Sequence, residues 1–278
     1  MNTHLTRPGD GPFTERTPRV VAARALTRRA GRVKAGRFLA EGAQAVREAL
    51  RWAAAGRGTV HELFAVAPPD DLAALAADAG VPVSAVTERA AAGLSETVTP
   101  QGVVAVCDLV DVPLADALAG TPRLVAVLAG VADPGNAGTV IRVADAAGAD
   151  AVVLAGHAVD PHNGKCVRAS TGSLFHLPIA RATVPEALAA CRAAGLRLVA
   201  ADGHATADLT DDPALAGPTA WVFGSEAHGL PADVVARLDH ALRVPLYGDA
   251  ESLNLATAAA VCLYATAWRQ RAPERGRF

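Results

Sequence analysis

The chain has 278 residues, 51% apolar and 19% charged, enough for one large domain or two modest ones with a packed core. Aromatics at 4% exclude a surface that reads nucleic acid mainly by stacking bases, and four scattered cysteines (Cys107, Cys166, Cys191, Cys262) exclude a disulfide framework and fit a reducing cytoplasm. The net charge of −2 hides an asymmetry, +8 over residues 1–58 against −10 over the remainder.

Residues 1–16, rich in Pro, Gly and polar groups and without the apolar core of a signal peptide, read as a flexible tail. Thr17-Pro18 is a helix start, and the spacing predicts a basic helix to Ala30. From Arg16 to Ala40 there are eight basic residues and no acid, among them Arg24, Arg28, Arg29, Arg32, Lys34 and Arg37. All but one of the eight are arginine, whose planar fork suits bidentate contact with phosphate, so polyanion binding is favoured over a merely solvated arm.

A short strand at 38–40, a helix at 43–55, a strand at 60–66, a helix at 69–80 and a buried strand at 101–109 make a small α/β unit over 17–110. Residues 111–122, punctuated by Pro113, Gly120 and Pro122, read as a linker. A second alternation then fills 123–271, with strands at 123–130, 151–155, 196–201, 219–223 and 241–246. Helices are predicted at 137–148, 164–170, 185–194, 231–237 and 252–269, and 272–278 form a second tail. This is the pattern of a parallel-sheet α/β domain. The longest nearly uncharged apolar stretch, 253–268, falls short of a membrane span, so a cytoplasmic protein is expected.

Two nucleotide signatures fail. The glycines after the strand at 123–130 are spaced G-x4-G-x2-G, not as a dinucleotide fingerprint, and Gly164-Lys165-Cys166 is no phosphate loop. His157, His162 and Cys166 lack a fourth metal ligand nearby, and no metal is expected.

Three segments carry chemistry. Around 133–148 a strand's exit loop runs into a helix bearing Asn136 near its cap, then Arg142 and Asp145 on successive turns. Around 221–231 an apolar strand stops at Gly224 and leaves Glu226 at the sheet's carboxyl edge, where α/β domains bind ligands. Around 244–260 a strand leads to a long small-residue helix capped by Ser252 or Asn254. Taken singly, a capped helix, a strand–helix turn and an N-cap would account for each.

Together and in this order, NxGxxxRxADAxG (136–148), FGSExxGL (223–230) and PxxxxxxSLN (245–254) resemble the three motifs of the SpoU/TrmH family of RNA ribose 2′-O-methyltransferases, within the wider SPOUT group. VRASTGSLFHLP (167–178) is similar to that family's connecting segment. FLAEGAQAVREAL (38–50) with QGVVAV (101–106) resembles the L30e-like substrate-binding domain that many members carry.

The resemblance implies a C-terminal domain with a deep trefoil knot that binds S-adenosylmethionine, and transfer of a methyl group to a ribose 2′-hydroxyl. It implies catalytic roles for Arg142, Asn136, Glu226, Ser252 and Asn254, and cofactor contacts at Gly224, Val244 and Leu253, with Leu154 and Ala155 as additions. It also implies a homodimer through the C-terminal domain, with the basic arm binding RNA and 23S ribosomal RNA favoured. A transfer RNA enzyme and an inactive RNA-binding paralogue stay open as alternatives.

Overall fold

A computed structural model of the chain describes residues 11–272. They divide into two compact units, one holding the residues up to Leu109 with His162–Arg168, the other Val110–Pro161 with the residues from Ala169 onward.

The first unit runs α1 (Pro18–Arg24), α2 (Arg29–Ala35), β1 (Arg37–Glu41), α3 (Ala43–Ala54), β2 (Val60–Ala65), α4 (Asp70–Asp78), β3 (Val83–Ala85), α5 (Glu88–Ala92) and β4 (Val103–Asp108). Its sheet has the order β1-β4-β2-β3, antiparallel except for β2 with β3. Val20, Ala23, Leu26, Leu39, Phe64 and Val104 form its core, so the basic arm lays an apolar face on the sheet.

Three expectations are corrected here. Phe13, inside the stretch expected as a tail, bonds both ways along β3: its N–H donates to Ala85 O at 2.8 Å and its carbonyl accepts from Thr87 N at 2.9 Å. The single basic helix over 17–30 is broken by a 3-10 turn at Ala25–Thr27 and an extended Arg28. Gly31 permits the fold-back, because a Cβ there would collide with the carbonyl oxygen of Ala25. Finally, Arg32 turns inward at 4% exposure, where its Nη1 donates to the carbonyls of Leu26 (3.1 Å) and Thr27 (3.0 Å). It satisfies a turn's carbonyls and does not face a phosphate.

The second unit continues β5 (Asp111–Val112), α6 (Leu114–Ala117), β6 (Leu124–Ala129), α7 (Pro134–Ala147), β7 (Ala151–Ala155), α8 (Gly164–Ser170, its first turn grouping with the other unit) and β8 (Ile179–Ala182). Then come α9 (Val184–Ala193), β9 (Arg197–Ala201), β10 (Ala207–Asp208), β11 (Thr219–Phe223), α10 (Ala232–Val235), β12 (His240–Arg243) and α11 (Leu255–Arg271). The stretch expected as a linker, 111–122, belongs to this unit. β5 adds a strand beside β8, while Ala117 and Leu118 enter the core.

All neighbouring pairs in this eight-stranded sheet are parallel, in the order β10-β12-β9-β11-β6-β7-β8-β5. Central strands read as unbroken apolar runs because both faces are covered. Val125, Val127, Val153 and Val222 pack with Leu188 and Cys191 of α9 on one face. On the other, α7 packs against α11, and the buried Trp221 indole donates to Thr266 Oγ1 at 2.9 Å, tying β11 to α11. The strand order reverses at β6, with β7 and β8 on one side and β11, β9 and β12 on the other; ligands of open α/β sheets bind at the carboxyl edge of such a switch. No helix among the described residues is long and apolar enough to cross a membrane.

Candidate active site

A cleft of about 760 Å³ opens at the carboxyl ends of β9, β11 and β12, within the range of about 300–1,000 Å³ usual for small-molecule sites. Its apolar wall comes from Phe223, Leu242, Val244, Leu246 and Leu253. The sequence predicts a strand over 241–246, but β12 stops at Arg243, and residues 244–246 leave the sheet to line the cleft.

Three loops converge here through one line of hydrogen bonds. Glu226 Oε1 accepts from Asn136 Nδ2 at 3.0 Å, and Asn136 Oδ1 accepts from Asn254 Nδ2 at 3.0 Å. Asn254 Oδ1 then caps α11, accepting from the N–H groups of Ala256 (2.9 Å) and Thr257 (3.3 Å). Because an ionised carboxylate only accepts, the direction of every amide in the line is fixed. Asn254, not Ser252, is the cap.

Glu226 also accepts from the backbone N–H groups of Ala132 and Asp133, both at 3.2 Å. Partial burial raises its pKa, yet the hydrogen bonds from Asn136 and the backbone outweigh this and hold the carboxyl below its ordinary value. The loop of Glu226 is a tight hairpin, with Ser225 and Gly229 exchanging backbone bonds of 3.1 and 2.9 Å. A Cβ on Gly224 would collide with the Gly229–Leu230 backbone.

A model of the SpoU rRNA Methylase family matches residues 123–264, about half the chain and all three of these loops. The chain belongs to the SpoU rRNA methylase family.

A model of the MRM3-like substrate binding domain matches residues 17–105. The 23S rRNA (guanosine(2553)-2′-O)-methyltransferase RlmP of Bacillus subtilis is 38% identical over 236 residues, 84% of this chain and 89% of that protein. The 23S rRNA (uridine(2479)-2′-O)-methyltransferase of Streptomyces viridochromogenes is 43% identical over half of each chain. Among solved structures, an AdoMet-bound rRNA methyltransferase from Sinorhizobium meliloti superposes with a TM-score of 0.79 at 32% identity, covering 94% of this chain and 96% of that one. The SpoU methyltransferase AviRb from Streptomyces viridochromogenes gives 0.80 at 31%, covering 92% and 98%.

Of the residues expected at the SpoU site, Asn136, Glu226, Ser252, Asn254, Gly224, Val244 and Leu253 all line the cleft. Leu154 and Ala155 are not among its lining residues. They lie buried in β7, and Leu154 lines a separate cavity with His157 and Arg181. Arg142 is exposed on α7, outside the cleft lining, and among the described residues its guanidinium makes no hydrogen bond or ion pair. Ser252 likewise keeps its hydroxyl unengaged among the described residues.

In the arm, Arg24, Arg28, Arg29 and Lys34 are exposed, and Arg37 lies 3.9 Å from Asp108. Sequence reasoning missed Asp202, Gly203, Tyr247 and Glu251, which also line the cleft. An acid and a glycine directly after the strand at 196–201 were the available signal for the first two.

Proposed function

We propose that this protein transfers a methyl group from S-adenosylmethionine to a ribose 2′-hydroxyl of 23S ribosomal RNA. One observation carries the reading: the line Glu226–Asn136–Asn254 draws the three family motifs onto a single cleft at the carboxyl edge of the sheet. The cleft suits the cofactor, with an apolar wall for a purine and turning backbone for its polar groups. Bound there, S-adenosylmethionine supplies an electrophilic methyl on a sulfonium.

The protein's own part is alignment and charge. Gly224, Val244 and Leu253 would hold the cofactor, while Asn136 and Glu226 keep the loops closed around it. The Arg142 guanidinium, a planar fork of hydrogen-bond donors, would grip the phosphate beside the target ribose and stabilise the alkoxide as the hydroxyl proton leaves. The exposed arginines of the arm would add non-specific attraction to RNA.

A homodimer through α11 fits the same reading, since Val261, Tyr264 and Trp268 form one stripe along it and Trp268 is 59% exposed. A cytoplasmic site of action, where ribosomal RNA is made, follows from the substrate.

The test incubates purified protein with methyl-labelled S-adenosylmethionine and, separately, unmodified 23S ribosomal RNA and bulk transfer RNA, then identifies labelled nucleosides. A 2′-O-methyl nucleoside in 23S RNA is expected. Label in transfer RNA would move the substrate, and a methylated base would overturn the ribose chemistry.

A further inference from the structure

Among the described residues the Arg142 side chain has no partner, although an acid, Asp145, follows it three residues later on α7. Residues at that spacing are neighbours on a helix surface and pair readily when they carry opposite charge. Asp145 is already engaged: its Oδ2 lies 2.7 Å from Nδ1 of His176, which follows the 3-10 turn Ser173–Phe175 packed against α7. A carboxylate can only accept, so Nδ1 carries the proton whatever the charge on the ring. Asp145 also stands in the last turn of α7, where no basic residue offsets the helix's negative end, so a proton donor there is favoured.

We propose that His176 is a positioning residue that holds Asp145 away from Arg142 and so keeps the Arg142 guanidinium open to an RNA phosphate. The use of that guanidinium rests on the function proposed above; the pairing itself does not. If His176 is removed, Asp145 has Arg142 as its nearest cationic neighbour along the helix. An exposed ion pair of this kind is weak, so it competes with phosphate without abolishing binding, and the expected loss is about two- to fivefold.

The test has two arms. In a crystal structure of His176→Ala, the Arg142 guanidinium should move to within ion-pair distance of the Asp145 carboxylate; an Arg142 that stays unpaired overturns the proposal. In methyl-transfer assays on 23S ribosomal RNA, H176A should lower kcat/KM by about two- to fivefold, and adding Asp145→Asn should restore it, because asparagine offers Arg142 no charge. His176→Gln, which keeps a donor for Asp145, should stay near wild type. A loss in H176A that D145N does not rescue would mean that His176 only supports the fold, and overturns the proposal. Wild-type protein without methyl transfer on any RNA would instead refute the proposed function, while the crystal arm still decides the pairing.

Discussion

Asn136 Nδ2 lies 3.0 Å from Glu226 Oε1 across 90 residues of sequence, and this bond closes the loop after β6 onto the loop after β11. Through its carbonyl oxygen Asn136 also holds Asn254, 118 residues away, at 3.0 Å. One side-chain amide therefore joins both partner loops of the cleft. It can do so because an amide presents a donor and an acceptor on opposite sides of one carbon.

Glu226 makes this line pH-sensitive. Its pKa is lowered in the folded protein, so it contributes stability at pH values above the ordinary carboxylate pKa, and that contribution disappears as pH falls through the lower folded value. Urea unfolding from pH 7 to pH 3 should show Glu226→Gln losing less stability with acid than wild type. Cofactor affinity should fall at neutral pH, because a glutamine cannot accept from Asn136 and from both backbone N–H groups without opposing a donor. An unchanged acid slope would remove Glu226 from this account.

Asn254→Ala deletes both the link to Asn136 and the α11 cap. Caps of this kind are worth about 1 kcal/mol, so the thermal midpoint should drop by a few degrees. Asn254→Asp keeps the cap but loses the donor to Asn136. It should therefore recover stability without recovering cofactor affinity, as measured by calorimetric titration.

Gly224→Ala tests the hairpin. The added methyl would strike the backbone of Gly229 and Leu230, which cannot yield as a side chain could. Cofactor binding should be lost while far-ultraviolet circular dichroism stays near wild type. Normal binding in this variant would show that the hairpin is not part of the pocket's working shape.

The basic arm divides into two kinds of arginine. Arg32→Ala should destabilise by about 2 kcal/mol, since it leaves the carbonyls of Leu26 and Thr27 buried without their donor. Arg28→Ala should leave the thermal midpoint alone, weaken RNA binding and flatten its salt dependence by about one counterion. The opposite pattern would reverse the assignment of these two residues.

All four cysteines are buried, and burial pushes the Cys191 and Cys262 thiols up to about 12. A thiol reagent such as Ellman's should label the native protein only slowly and label four thiols once it is denatured. Fast labelling of the native state would indicate local opening of these cores.

Much of the second unit is legible in the sequence because its signals are local. Alternation of apolar runs with helical periods marks seven of its strands and helices correctly in kind, from 123–130 to 219–223, and the motif order carries the family resemblance. The short strands β3, β8 and β10 escape, since two to four residues hold no period to read. β5 hides in a stretch punctuated like a linker, because its pairing with β8 is made 68 residues further on.

By itself, then, the sequence determined the two-part α/β organisation, the basic arm and the identity of the cleft residues Asn136, Glu226, Ser252 and Asn254. Tertiary structure alone decided that Asn136 lies between Glu226 and Asn254, that Arg32 faces inward while Arg28 faces out, and that His176 takes the carboxylate beside Arg142. Composition and period record which face of an element is apolar. A single side-chain hydrogen bond between distant loops leaves no such trace, because it depends on directions that exist only once the whole sheet has formed.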